Sequence, residues 1–250
     1  MIHVHEKVES TQDVMKNLIG RGGVSHLDAV IAGIQTGGRG RMDRQWLSPP
    51  GNLSASIFLR DFRMPLTWVP LWVGHALREA IQSFIPTESR SATGSLKLKW
   101  PNDLVLSTGE KLGGILCEKV EAGVIAGVGL NVDSSPVLSD RKSASLKTFL
   151  LGHGMNRPIR ALEVLESILL KLNQEPDTEA LRESFKLSSL FMAGDRIQWR
   201  DLRSGTVNAG RMIGIGVHGE LRVNNEDGSM QSLFSEEIEG VRQDPGSDQE

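Results

Sequence analysis

Gln35-Thr-Gly-Gly-Arg-Gly-Arg-Met-Asp-Arg-Gln-Trp46 follows directly on Ala29–Gln35, a run that reads as a strand. It sets three glycines and three arginines into one connection. Glycines let backbone N–H groups turn toward a bound anion, and arginines add fixed positive charge with forked donors. The composition suits a phosphate, a carboxylate or both. No Gly-Lys-Ser/Thr follows, as a Walker loop requires, and the glycine spacing is not that of a dinucleotide fold. One arginine in such a loop is most simply a solvated one; three among glycines, with Trp46 beside them, favour anion binding.

Upstream, Ile2–His5 reads as a short strand. Ser10, Thr11 and Asp13 offer helix-start chemistry before Val14, Leu18 and Ile19, and Gly20-Arg21-Gly22-Gly23 ends that helix. Downstream, Leu53–Leu59 is a strand in which Ser54 and Ser56 alternate with apolar neighbours. Pro70 suits a helix's first turn, Val73, Leu77, Ile81 and Phe84 follow at helical spacing, and Pro86 stops the run. Leu96–Trp100, Leu104–Leu106, Leu112–Lys119 and Val124–Val132 read as strands, several of them separated by glycine-containing turns. A helical block runs from Arg160 to Leu190, with Leu162, Leu165, Leu169 and Leu172 on one face and Asp177 capping a second helix. From Ala193 the texture changes to short alternating runs: Arg196–Trp199, Gly205–Val207, Arg211–Val217, Glu220–Val223 and Met230–Phe234. These predict a small all-β barrel of about 50 residues. The expected organisation is an α/β domain over 1–190, a barrel over 191–243 and a disordered tail over 244–250.

Composition sets the outer bounds. The chain has 250 residues, 39% hydrophobic and 24% charged, enough to bury a sizeable core. Its net charge of −3 argues against a protein whose main task is to coat nucleic acid. No apolar run is long enough for a membrane span, and the first residues lack the apolar region of a secretion signal. The single cysteine, Cys117, excludes an intramolecular disulfide and fits a reducing cytoplasm.

Three further stretches carry polar chemistry. In Lys97-Leu-Lys-Trp-Pro-Asn-Asp103, alternation sends Lys97 and Lys99 to one face and Trp100 to the other, Pro101 breaks the ladder, and Asn102 and Asp103 favour a turn. An edge strand with a Pro-Asn-Asp turn explains it as well as a polar site does. In Glu110-Lys-Leu-Gly-Gly-Ile-Leu-Cys-Glu118, Lys111 precedes paired glycines that let a ligand approach the backbone, although a lysine beside a hairpin is usually just solvated. In Ala126-Gly-Val-Gly-Leu-Asn-Val132, the small residues before Asn131 either admit a flat ligand or relieve crowding in a core. Other signals are false. Gly214-Ile-Gly-Val-His-Gly219 matches the dinucleotide pattern but runs into a strand where that fold needs a helix, so it reads as a hairpin turn. His3 and His5 share a face without completing a zinc site, Ser10 is explained by a helix cap, Cys117 reads as packed, and Trp68 and Trp72 as core or interface.

Taken in order, Glu9-Ser-Thr-Gln12, Gln35-Thr-Gly-Gly-Arg-Gly-Arg41 with Trp46, Lys99-Trp-Pro-Asn-Asp103, Lys111-Leu-Gly-Gly-Ile115 and Gly127-Val-Gly-Leu-Asn131 resemble the biotin–protein ligases. The resemblance covers essentially the whole chain to about Arg242, and the pairing of Gly-Arg-Gly-Arg with Lys-Trp-Pro-Asn-Asp is highly specific to that family. It implies the class II synthetase-like α/β (α+β) fold shared by biotin and lipoate ligases, followed by an SH3-like barrel. It also implies an enzyme that activates biotin with ATP and Mg2+, then transfers it to a lysine of the biotin carboxyl carrier protein of acetyl-CoA carboxylase.

By resemblance, Ser10, Thr11, Gln12 and Gln35 approach the biotin ring system. Gly38, Arg39, Gly40 and Arg41 form the loop over biotin and the adenylate. Lys111 sits by the biotin carboxylate and α-phosphate, with Gly114 and Ile115 along the pocket floor. Arg44, Trp46, Asn102, Asp103 and Asn131 form the nucleotide and metal side, with Asp103 as the carboxylate nearest magnesium. Arg41, Lys111 and Asp103 carry the chemistry. Two positions depart from the family's pattern, which usually has Asn at Gln12 and Gly at Asp43. Some members add an N-terminal winged helix and repress transcription; a first strand at Ile2 predicts a ligase without DNA binding. The resemblance leaves a homodimer through the large sheet and a monomer both open. A lipoate or octanoate ligase of the same fold is the alternative within the enzyme class, and a non-catalytic binding adaptor the alternative outside it.

Overall fold

The computed structural model of this protein describes residues 1–42, 44–86, 89, 95–137 and 142–244. Asp43 and most of the expected tail, 245–250, lie outside the described residues. Leading the chain, β1 (Ile2–Val8) pairs in parallel with β2 (Ala29–Gln35), with α1 (Thr11–Arg21) between them. Parallel neighbours need such a crossover, and the positive-φ pair Gly22 and Gly23 turns the chain back after the helix. The other strands are β3 (Leu53–Leu59), β4 (Leu96–Lys99), β5 (Asp103–Leu106), β6 (Lys111–Val120) and β7 (Gly123–Leu130). They complete a seven-stranded sheet in the order β1-β2-β3-β7-β6-β5-β4, antiparallel beyond the first pair.

Helices cover both faces, which is why every residue of β3 is buried. One face carries the large core, to which α2 (Val69–Phe84) brings Trp72, Val73, Leu77 and Ile81. To the same core α4 (Ala161–Leu172) brings Val164, Leu165, Ile168 and Leu172, and α5 (Thr178–Ser188) brings Leu181 and Phe185. The other face is only partly covered. There Met15 of α1 packs on Val30, Phe58 and Ile125, forming a small separate cluster. Beyond that cluster the register places Ser56 beside Gly127, Ser54 beside Gly129, and Gly129 beside Gly114. Cross-strand neighbours share a face, so serine and glycine replace large side chains there and leave space above the sheet.

The C-terminal strands are β8 (Arg196–Asp201), β9 (Val207–Ile215), β10 (Leu221–Asn225), β11 (Met230–Leu233) and β12 (Ile238–Gln243). They form a second, antiparallel sheet in the order β11-β10-β9-β8-β12. It is consistent with an SH3-like unit, but β11 and β12 do not pair among the described residues, so the expected barrel is not closed. Ile197, Trp199, Leu221, Val223 and Ile238 join the same continuous apolar core as the large sheet. The β9–β10 hairpin docks on the large sheet's side: the Trp68 indole N–H donates to the Val217 carbonyl and that of Trp100 to the Gly219 carbonyl, both at 3.0 Å. The glycine pattern at 214–219 is this hairpin turn, and Trp68 and Trp72 are core.

Several sequence expectations shift. One continuous β9 replaces the two strands expected over 205–217, and β12 and the short helix α3 (Leu146–Leu151) were not expected. On α4 the buried stripe is turned to Val164, Leu165, Ile168 and Leu172, leaving Leu162 and Leu169 half-buried at its margin. That helix starts with a capping box in which the Glu163 carboxylate accepts from the Arg160 N–H at 2.9 Å. Ser10 and Asp177 occupy N-cap positions, but neither side chain makes a cap hydrogen bond. Among the described residues no helix is long and apolar enough to cross a membrane.

Candidate functional site

A cavity of about 470 Å³ fills the uncovered half of the α1 face. Lining it are Ser10, Thr11, Gln12, Gln35, Arg39, Gly40, Arg41, Arg44, Trp46, Asn102, Asp103, Lys111, Gly114, Ile115 and Asn131. Every residue singled out from the sequence is present except Gly38, which lies at the base of the loop. Its carbonyl accepts from the Trp46 N–H at 2.9 Å, and a Cβ there would sit 2.5 Å from the Trp46 carbonyl oxygen. Gly38 is a structural glycine, needed for a close backbone approach.

At one end stands a chain of hydroxyls and amides. Ser56 Oγ, fully buried on β3, donates to Thr11 Oγ1 at 2.8 Å. Both the N–H and the hydroxyl of Thr11 donate to Gln35 Oε1, at 2.8 and 3.0 Å, and Gln35 Nε2 donates to Ser48 Oγ at 3.3 Å. Gln12 Nε2 donates to the Leu116 carbonyl at 3.0 Å, and Gly127 provides the room, since a Cβ there would lie 3.0 Å from that nitrogen. The longer side chain at position 12 is therefore accommodated.

At the other end, Lys111 Nζ donates to Asp103 Oδ1 at 2.6 Å and lies 5.6 Å from the centre of the Trp46 ring. Gly114 makes room for this pair, because a Cβ there would sit 3.1 Å from Nζ and 3.3 Å from the carboxylate oxygen. Asn102 Nδ2 donates to the Ile115 carbonyl at 2.6 Å, which fixes the turn before β5. Asn131 donates to the carbonyls of Lys111 and Ala144 at 3.4 and 3.2 Å.

The three loop arginines go to different parts of the protein. Arg39 forks onto the two oxygens of Asp13. Arg41 reaches Asn102 Oδ1 at 3.4 Å and the Ser235 carbonyl, and burial pushes its guanidinium below the ordinary arginine range, partly offset by Asp103. Arg44 pairs with Glu239 at 2.8 Å. A desolvated guanidinium that stays charged is a strong anchor for an anion.

Gln12 Oε1, Trp46 Nε1 and Asn131 Oδ1 are buried without a hydrogen-bond partner. Buried polar atoms are normally paired, so these three, all lining the cavity, are free to bond a polar group placed there. Sequence reading missed the far wall, Glu239–Arg242 of β12, because nothing in that alternating strand distinguishes it from its neighbours. It also missed Lys142 and Ser143, set beside Lys111 by the Lys111–Ser143 bridge. Cys117 is packed against the core, and burial pushes its thiol up to about 12, so it takes no part as a nucleophile.

Comparison with known proteins gives this arrangement a family. The chain is 38% identical over 121 residues to the biotin--[acetyl-CoA-carboxylase] ligase of Mycobacterium tuberculosis, covering 47% of this chain and 44% of that protein. It is 27% identical over 244 residues to the bifunctional ligase/repressor BirA of Bacillus subtilis, covering 94% and 72%. Thus the chain matches less than half the length of the first of these relatives. Among solved structures, a biotin protein ligase from Aquifex aeolicus in complex with biotin and ATP superposes with a TM-score of 0.78 at 25% identity, covering 97% of this chain and 99% of that one. A Leishmania major biotin protein ligase in complex with biotinyl-5-AMP superposes with a TM-score of 0.69 at 25% identity, covering 94% and 98%. Residues 4–134, just over half of the chain, match the model of the biotin/lipoate A/B protein ligase family, and the chain belongs to that family.

Proposed function

We propose that this protein is an ATP-dependent biotin–protein ligase. It joins the biotin carboxylate to the α-phosphate of ATP, giving biotinyl-5′-AMP and pyrophosphate, then passes the biotinyl group to a lysine of a biotin carboxyl carrier protein and releases AMP. The observation that carries this reading is a cavity in which a hydroxyl–amide end and a cationic end meet over a floor of glycines. Biotin needs the first end for its ring and the second for its carboxylate.

In the first step a carboxylate oxygen attacks the α-phosphorus, and the bond to the pyrophosphate oxygen breaks. Two anions must meet, and the charge on the five-coordinate phosphorus must be held. Arg41 and Lys111 do this; Arg39 and Gly40 belong to the loop that closes over the product. Thr11 and Gln35, locked in polarity by their mutual bonds, orient the ring with Ser10, while Gln12 offers its free Oε1. Trp46, Arg44, Asn102 and Asn131 receive the nucleotide. Magnesium arrives as part of the ATP substrate, held chiefly by phosphate oxygens and water. Among the described residues no three His, Cys, Asp or Glu side chains gather as a resident metal site, and Asp103 is the carboxylate we assign beside the ion.

In the second step the neutral lysine nitrogen attacks the acyl carbon, the C–N bond forms as the bond to the phosphate oxygen breaks, AMP leaves, and the proton shed by the nitrogen passes to water. Asp103 then orients that amine, and the closed loop keeps water from the anhydride. We place a division of the chain near residue 190, the later residues bracing the nucleotide end, and the activity in the reducing cytoplasm. The test is exchange of labelled pyrophosphate into ATP, with biotin and with lipoate side by side. Exchange with biotin alone is expected, reduced at least ~100-fold in Lys111→Ala. Exchange with lipoate alone moves the protein to the lipoate side of its family, and none with either acid leaves a binding adaptor.

A further inference from the structure

We infer that Ser56 is a positioning residue for the ring-facing end of the cavity: its buried hydroxyl anchors Thr11 to the sheet and so sets where Thr11 and Gln35 present their remaining polar atoms. The inference rests on the proposed activity, and it concerns a side chain that does not itself line the cavity. β3 is buried along its whole length, and Leu53, Ala55, Ile57 and Leu59 fill the large core on one face. Ser54 and Ser56 alternate with them and point to the other face. Ser56 has no exposure at all, so its hydroxyl has lost its hydration and needs a partner, which alanine in the same place would not.

The bonds around Ser56 run in one direction. The Thr11 N–H is one of the donors that the first turn of α1 leaves unpaired, and it meets Gln35 at 2.8 Å. The atom it meets must therefore be the carboxamide oxygen and not the nitrogen. The Thr11 hydroxyl lies 3.0 Å from that same oxygen, which can only accept, so the hydroxyl donates as well. With its hydrogen committed, Thr11 Oγ1 is an acceptor toward Ser56, and Ser56 Oγ donates to it at 2.8 Å. Gln35 Nε2 gives one hydrogen to Ser48 Oγ at 3.3 Å, and Ser54 Oγ donates to that Ser48 oxygen at 2.9 Å. Two serines on one face of one strand thus close both ends of the chain.

The atoms left over define what a ligand meets. Thr11 and Gln35 both line the cavity. Two donors saturate the Gln35 oxygen, so that side chain offers only the second hydrogen of Nε2. Thr11 Oγ1, having donated once and accepted once, offers only a lone pair. A cyclic urea carries a carbonyl oxygen beside its ring N–H groups and can meet both; a dithiolane ring has neither. Bond chemistry fixes this polarity, but position depends on Ser56. A threonine in a helix has two accessible rotamers, and Gln35 reaches it on a long side chain that can follow either. Ser56 cannot follow: its side chain is short, and its strand is held between β2 and β7. Its bond selects one Thr11 rotamer, and through Thr11 one placement of Gln35.

The test is a double-mutant cycle on Ser56→Ala and Thr11→Val, with biotin binding read by calorimetry in the absence of ATP. Ser56→Ala should weaken biotin about five-fold and raise the biotin KM in pyrophosphate exchange by the same factor. The ATP KM and the kcat at saturating biotin should stay at the parent values. On the Thr11→Val background, where no hydroxyl remains to be held, Ser56→Ala should cost less than about two-fold. A serine that merely packs would shift Tm and act equally on both backgrounds. Without any ligand, nitrogen-edited NMR should show the Gln35 side-chain amide protons exchanging with solvent faster in Ser56→Ala than in the parent. Biotin affinity in Ser56→Ala within about two-fold of the parent, equal losses on the two backgrounds, or an unchanged Gln35 amide overturns the assignment. If the parent binds no biotin, the proposed function falls, and the ligand-free Gln35 amide still decides the role of Ser56.

Discussion

Alanine at Gly129 is a small change aimed at one contact. Gly129 lies on β7 with an ordinary strand backbone, so a Cβ strains nothing locally. That Cβ would sit 2.3 Å from Trp46 Cε2 and 2.6 Å from Cζ2 and Nε1. Carbon atoms rest at ~3.5 Å, so the indole must retreat by about 1 Å. Lys111, 5.6 Å from that ring's centre, is already near the ~6 Å reach of a cation–π contact and would lose it. A displacement of ~1 Å near the reacting groups costs up to ~100-fold in rate. We therefore expect kcat/KM for ATP in pyrophosphate exchange to fall between ~10- and ~100-fold. Biotin binding measured without ATP should fall much less, because its ring is met by Thr11, Gln12 and Gln35 at the other end of the cavity and only its carboxylate reaches Lys111. The fold should survive: alanine restricts the unfolded chain by ~0.4–1 kcal/mol, which offsets the poorer packing of a half-buried ring. Calorimetry with biotin and exchange kinetics with ATP separate the outcomes. An unaltered ATP dependence refutes the placement of Trp46 as the nucleotide wall, and equal losses for both substrates refute the division of the cavity into two ends.

Two further outcomes follow from packing and charge. Trp100→Phe keeps the ring in the core but removes the indole N–H that donates to Gly219, leaving a buried carbonyl without that donor, and should cost ~1 kcal/mol in denaturant melts; equal midpoints would mean that this hydrogen bond adds nothing to the docking of the hairpin. Glu163 is held at about 2, below its ordinary 4.5, first by the Arg160 N–H and then by the Arg157 side chain. A depressed carboxylate contributes stability that is present above 4.5 and lost as pH falls toward 2, so the melting difference between the parent and Glu163→Gln should shrink across that window. A difference that stays constant with pH would rule the capping charge out.

Much of the site was legible in the sequence because its chemistry is local. Glycines and arginines after β2, a lysine before paired glycines, and Asn-Asp after proline announce themselves within a few residues. The strands around them follow from alternation, and α2 from its spacing between two prolines. Reading broke down where periodicity is ambiguous: on α4 two leucine-rich stripes fit the same helix, and only its packing against α2 and β3 selects Val164 and Ile168 over Leu162 and Leu169.

Tertiary structure settled what pairs with what. From sequence, the small residues before Asn131 fit a ligand pocket or a crowded core equally well; the register of β7 against β3 and β6 puts Gly127 under Gln12 and Gly129 under Trp46, on the face that α1 leaves open. Asp13 read as a helix-start residue, and its partner Arg39 is 26 positions away. The wall at Glu239–Arg242 comes from a strand with no motif of its own. The physical reason is common to all three. Residue chemistry and backbone propensity are properties of short segments, visible in the letters. Strand register, the uncovered half of a sheet and the partner of a charge are set by long-range packing that no short segment contains.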